Sequence, residues 1–182
     1  MQNLCVLCVF TSLRFQNAAH RETESPPDFF PPMASEFKHI RRIEFAETDM
    51  AGIVHFANFF RMMEATEHEF FRSLGFSIHS HEGDTTVGWP RVSASCEYSR
   101  PLRFEDEVEI HLIVAEVRSR SIRYQFIFRK VDDGTEVARG TVAAVCATVD
   151  KTTGKLFAVP IPGSIRAAIT AASPETTSDS SS

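Results

Sequence analysis

Apolar and polar positions in the second half of the chain alternate with the two-residue period of half-buried strands. In RVSASCEYS, Val92, Ala94, Cys96 and Tyr98 alternate with polar partners, and in EVEIHLIVAEV Val108, Ile110, Leu112 and Val114 share a face. SIRYQFIFRK groups Ile122, Tyr124, Phe126 and Phe128, and TEVARGTVAAVCATVD predicts one long strand with Thr141, Ala143, Val145 and Ala147 on one side. Asp133-Gly134 predicts a tight hairpin turn between the last two strands, while Ser119-Arg120 and the stretch from Phe104 to Asp106 mark the other corners.

The period changes once. In NFFRMMEATEHEFFRSLGF the positions Phe56, Phe60, Met63, Phe70 and Leu74 follow helical spacing, interrupted by Glu67. Asn58 is the predicted N-cap and Gly75 the residue just past the helix end, because a side-chain acceptor opens a helix and a glycine closes it. Phe59 and Phe71 widen the apolar surface, so the helix is expected to be enclosed on more than one side. A short strand-compatible run, FKHIRRIE, precedes it.

Strand, long helix and four antiparallel strands make an α+β layout. A helix of about 17 residues spans about 25 Å, enough to cover one face of a five-stranded antiparallel sheet that twists around it. The exposed sheet edges predict self-association, most simply as a two-fold dimer or as a tetramer built from dimers.

Composition sharpens the boundaries. Of 182 residues, 43% are hydrophobic and 24% charged, as in a globular domain with a true core. Sixteen phenylalanines against two tyrosines and one tryptophan point to a strongly apolar interior or binding tunnel. A net charge of −5 argues against bulk capture of nucleic acid, and no apolar run reaches the roughly 18 residues of a membrane span. Cys5 and Cys8 form a lone CxxC without a second pair, and Cys96 and Cys146 lie in strand-like segments, so a reduced, cytoplasmic protein is expected. Residues 1–35 are read as an extension outside the fold, disordered or an over-extended reading frame with Met33 as the true start. Residues 36–170 form the domain, and 171–182, ending in TTSDSSS, read as a disordered tail.

The candidate chemistry concentrates in ETDMAGIVHFANFF, where Asp49 is followed by a glycine turn and then the aromatic helix. From spacing alone Asp49 reads as a turn-capping aspartate. Serine-hydrolase, P-loop and dinucleotide motifs are absent, and EHEFF lacks the second histidine of HExxH. The His79, His81, Glu82 and Asp84 group has no tight metal spacing and reads as a mobile polar loop, so neither metal nor cofactor is expected.

Together, ETDMAGIVHFANFFRMMEATEHEFFRSLG, SRPLRFEDEVEI and EVRSRSIRYQFIF resemble the hot-dog acyl-CoA thioesterases, with closest similarity to the 4-hydroxybenzoyl-CoA thioesterase family that includes the Tol-Pal-associated thioesterases. The similarity runs from about Phe37 to about Ile169. It implies a hot-dog fold and hydrolysis of an acyl-CoA to free acid and CoA. Asp49 becomes the catalytic carboxylate, acting as general base or as nucleophile. The backbone amide of Phe56 polarises the thioester carbonyl, with Gly52, Val54 and Phe59 at the substrate site. Relatives commonly carry Tyr or His where this chain has Phe56. His55 is then either a second polar group of the site or a structural histidine. Glu64, a solvated helix charge by composition, falls where relatives often place a carboxylate that holds water or braces the site. Arg118 and Arg120 sit in the family's basic turn and are the expected ligands of the CoA phosphates. A hot-dog hydratase or dehydratase acting on enoyl thioesters, and a non-catalytic acyl-thioester binding module, are the alternative readings.

Overall fold

The computed structural model describes residues 33–82 and 85–173; Cys5, Cys8, the ESPPDFFPP stretch and the polar tail from residue 174 lie outside the described residues. Chain order gives β1 (Glu36–Arg42), a 3-10 turn (Phe45–Glu47), α1 (Phe56–Ser73), β2 (Ser80–Glu82), β3 (Thr85–Val87) and β4 (Arg91–Tyr98). It continues with β5 (Glu107–Val117), β6 (Ser121–Lys130), β7 (Glu136–Val145), β8 (Ala147–Val149), β9 (Leu156–Ala158) and α2 (Gly163–Ala168). Five strands form one antiparallel sheet in the order β1-β5-β6-β7-β4, with α1 packed against β1, β4 and β5.

The alternation in β5 and β6 explains this packing. Val108, Ile110, Leu112 and Val114, with Ile122, Tyr124, Phe126 and Phe128, are all buried, and so are Phe59, Met62, Met63, Phe70 and Phe71 of the helix. Each such side chain contributes about 1.5–3 kcal/mol by leaving water, so this helix-on-sheet layer holds the fold together. The Asp133-Gly134 turn closes β6 onto β7, with Gly134 at φ 70° and its N–H donating to the Lys130 carbonyl at 3.0 Å.

Several expectations shift. The helix starts two residues earlier than Asn58. Asn58 lies inside its first turn, buried, and His55 is the N-cap. The buried stripe runs through Phe59, Met62, Met63, Glu67, Phe70 and Phe71, whereas Phe56 is 61% exposed. In β7 the helix-facing residues are Ala138, Gly140, Val142 and Ala144, the set opposite to Thr141, Ala143 and Val145. These small residues are needed for close approach: a methyl group at Gly140 would overlap the Met63 Sδ atom. The predicted long last strand breaks at Cys146, after which β8 turns away and pairs with β9. The polar stretch after α1 is not simply a loop, because β2 pairs with β3 as a short antiparallel hairpin; Asp84 lies outside the described residues.

Hydrogen bonds tie both ends of the described chain into the domain. Ala34 N–H donates to the Ala168 carbonyl at 2.8 Å, Thr170 N–H to that of Ala34 at 3.0 Å, and Ala172 N–H to that of Val114 at 2.8 Å. At the other edge of the sheet, β4 has no strand on its outer side among the described residues.

Candidate active site

The site is built by a turn that returns the chain onto itself immediately before α1. Thr48 and Val54 pair across it, Asp49 N–H donates to the Ile53 carbonyl at 2.9 Å, and Gly52 N–H donates to the Asp49 carbonyl at 2.9 Å. Gly52 holds φ at 70°, a left-handed conformation that glycine adopts without a Cβ penalty. The turn is pinned from below, since Val54 N–H donates to the carbonyl of buried Leu102 at 2.8 Å and His55 N–H to that of Glu47 at 2.9 Å. Asp49 therefore stands on a fixed backbone with an exposed side chain, one oxygen of which (Oδ1) accepts the Ala51 N–H at 2.8 Å.

The first turn of α1 follows directly. The first N–H groups of any helix lack intrahelical acceptors, and here they are treated unequally. His55 Nδ1 accepts the Ala57 N–H at 3.3 Å, which requires that nitrogen to be unprotonated, and the His55 carbonyl accepts the Asn58 N–H at 2.9 Å. The Asn58 side chain spans back to the Glu47 carbonyl at 2.7 Å. Among the described residues no acceptor meets the Phe56 N–H. The amide singled out by sequence is thus the one that the cap leaves unused, and His55 is committed to capping.

Asp49 and Phe56 line a common cleft of about 540 Å³, together with Ile53, Val54, Phe59, Tyr98, Arg100 and Leu102. Its walls are mainly apolar, with a few polar groups, which is the composition of a small-molecule site. Four of these residues, Ile53, Tyr98, Arg100 and Leu102, are not singled out as site residues by the sequence. Tyr98 was visible only as a member of the β4 alternation; its ring packs edge-on against Phe59 at 5.0 Å and its hydroxyl donates to the Phe56 carbonyl at 3.3 Å. Burial, and the Cys96 thiol beside it, push the phenol up to about 12, so it is a donor across the ordinary pH range. Arg100 lies in SRPLRF, part of a stretch that carries the family resemblance but marks no site residue of its own.

Other candidates fall elsewhere. Glu64 is on the exposed side of α1, outside the cleft, with its carboxylate 3.7 Å from Arg91. The buried carboxylate is Glu67, whose side chain is 1% exposed and 2.6 Å from Arg91. Burial pushes the Glu67 carboxyl up to about 7, Arg91 opposes this, and the neighbouring Glu64 charge adds to it. Arg118 and Arg120 flank the turn into β6 beside Ser121, and Arg118 pairs with Glu116 at 2.8 Å. The cleft lies at the other end of β6, where Phe128 packs on Phe59 at 5.2 Å. Seven residues of strand at about 3.3 Å each separate the two ends, so within one chain the basic turn is roughly 23 Å from the cleft. Among the described residues no group of three His, Cys, Asp or Glu is placed to hold a metal ion, and no helix is long and apolar enough to cross a membrane.

Comparison with known proteins agrees with this architecture. Residues 43–169 match the family model of the thioesterase-like superfamily. A putative esterase of Aquifex aeolicus is 38% identical over 96 residues, covering 53% of this chain and 74% of that protein. A 1,4-dihydroxy-2-naphthoyl-CoA hydrolase of Prochlorococcus marinus is 30% identical over 97 residues, covering 50% of this chain and 63% of the relative, so the match spans less than two thirds of that relative's length. The solved structure of a gentisyl-coenzyme A thioesterase superposes with a TM-score of 0.60 at 31% identity, covering 71% of this chain and 99% of the other. The chain belongs to the thioesterase-like superfamily of hot-dog thioester hydrolases.

Proposed function

We propose that the protein hydrolyses acyl-CoA thioesters to the free acid and CoA, with aryl acyl groups as its preferred substrates. The observation that carries this reading is the meeting, in one aromatic-walled cleft, of an exposed carboxylate and an unshared helix N-terminal amide. A thioester carbonyl that accepts the Phe56 N–H gains a donor directed at the charge that develops on its oxygen. The positive end of the α1 dipole adds to that stabilisation. Asp49 then acts in one of two ways. As general base it takes a proton from an attacking water. As nucleophile it bonds to the carbonyl carbon to give a mixed anhydride, which water opens. Either route breaks the C–S bond, expels the CoA thiolate, which is protonated to the thiol, and returns Asp49 to its carboxylate.

Phe56, Phe59 and Tyr98 supply flat apolar surface for a ring, which supports the aryl preference. The gentisyl and dihydroxynaphthoyl groups named for two relatives are of this kind. Arg118 and Arg120 serve the CoA phosphates in this proposal, delivered to the cleft by a second copy of the chain. Dimerisation along the open β4 edge would reverse one sheet against the other and bring the far end of a partner's sheet toward Asp49. A reducing, cytoplasmic setting suits the cysteine usage.

A thiol-release screen tests the reading. Benzoyl-CoA and hydroxylated benzoyl-CoAs are expected to be hydrolysed with kcat/KM at least about tenfold above octanoyl-CoA, the order of discrimination that one pocket supplies. Absence of thiol release from every acyl-CoA would overturn it.

A further inference from the structure

We infer that Tyr98 is a positioning residue for the reaction: it fixes the first turn of α1 so that the Phe56 N–H stays directed into the cleft. This rests on the hydrolase reading above and assigns part of its machinery to a residue 42 positions away, at the end of the edge strand.

Three side chains hold the opening of α1, and they do different things. The His55 imidazole engages the Ala57 N–H, and the Asn58 amide engages the Glu47 carbonyl. Both are local, connecting the turn to itself and to the chain just before it. Tyr98 is the one of the three whose hydrogen bond goes to Phe56 itself, and it comes from the sheet. Its hydroxyl holds the Phe56 carbonyl while its ring rests against Phe59, in turn stacked edge-on against Phe128 at 5.2 Å. The sequence of contacts Phe128, Phe59, Tyr98, Phe56 thus ties the helix mouth to the buried centre of the sheet.

The Phe56 N–H shares a peptide plane with the His55 carbonyl, which accepts the Asn58 N–H at 2.9 Å, and Tyr98 adds a hold on the next plane through the Phe56 carbonyl. Catalytic donors lose effect when misplaced by fractions of an ångström, because stabilisation of a developing oxyanion depends on distance and alignment. The Phe56 ring is 61% exposed and its ring pair among the described residues is with His55, at 4.5 Å, so ring burial does not anchor the residue. The phenol hydroxyl supplies what the ring does not.

Tyr98→Phe isolates this role, because the ring, the cleft wall and the Phe59 contact all remain. With a benzoyl-CoA substrate, kcat is expected to fall about three- to tenfold, the effect of one neutral hydrogen bond, with KM changed less than twofold and the melting temperature unchanged. The NMR order parameter of the Phe56 amide, measured on the intact protein, is expected to fall in the variant. That readout does not depend on turnover. If the wild-type protein is inactive but the order parameter falls, the hydrolase reading fails and the positioning of the amide stands. Wild-type kcat in Tyr98→Phe, an unchanged order parameter at Phe56, or loss of kcat that merely tracks a lowered melting temperature would each overturn the inference.

Discussion

The Met63 Sδ atom occupies the space where a side chain at position 140 would begin. Met63 is 1% exposed and Gly140 lies in the interior of β7, so the helix meets the sheet at a point made possible by the absence of a Cβ. That close approach sets the height of α1 over the sheet and therefore the position of its N-terminal turn. Gly140→Ala is expected to destabilise the fold by about 1–3 kcal/mol, since the added methyl also comes against the Ser95 carbonyl and the thioether has little room to retreat. Chemical denaturation of the two proteins checks this; equal midpoints and slopes would show that the thioether yields freely.

The buried Glu67–Arg91 pair predicts an inverted pH dependence. The folded-state pKa of Glu67 is raised from 4.5 to about 7, so the folded protein binds this proton more tightly than the unfolded chain. The stabilisation is fully present below pH 4.5 and is lost as pH rises toward 7, with a total of up to about 3 kcal/mol. Glu67→Gln should flatten that part of the stability profile, measured as denaturation midpoint against pH. The same falling limb in both proteins would exclude Glu67 as its source.

Capping gives a third expectation. His55→Ala removes the acceptor for the Ala57 N–H and should cost about 1 kcal/mol, whereas His55→Asn, a good N-cap, should restore most of it. Because His55 is given no proton-transfer role, His55→Asn should keep kcat within a few-fold of the wild type. A loss of about 100-fold or more, the scale of a missing general acid or base, would return His55 to the chemistry.

Much of this architecture is legible in the chain. The alternations in β5 and β6, the Asp133-Gly134 turn and the aromatic run of α1 are strong local signals, because large apolar side chains repeat at one period only. The faces of β7 are harder to assign, since alanine and valine occur on both sides and only Met63 shows which side needs to be small. Asn58 looked like the cap because a side-chain acceptor usually opens a helix. What decided the start was the distant Glu47 carbonyl, which occupies the Asn58 amide and leaves capping to His55. The contrast between Glu64 and Glu67 depends on Arg91, 24 residues beyond Glu67 and brought back by the sheet. Asp49 and the Phe56 amide were readable because they lie seven residues apart in one continuous block; Tyr98 comes from another strand and was not.

Arg118 and Arg120 allow a test of assembly. If a partner chain brings them to the CoA phosphates, replacing both by alanine should raise KM for an acyl-CoA about tenfold or more, the effect of losing charge-assisted contacts, while leaving kcat intact. KM for the corresponding acyl-pantetheine, which lacks the phosphates, should not move. An unchanged KM for acyl-CoA would place the phosphates elsewhere.

The central claim is that the Asp49 carboxylate performs the chemistry beside the Phe56 amide. Asp49→Asn keeps the side chain's size and its oxygen for the Ala51 N–H while removing the base and nucleophile. Single-turnover thiol release from a benzoyl-CoA, measured alongside binding of that ester, tests the claim most directly. The expected result is hydrolysis slowed by about 100-fold or more with the dissociation constant of the ester unchanged. Hydrolysis at the wild-type rate in Asp49→Asn would contradict it.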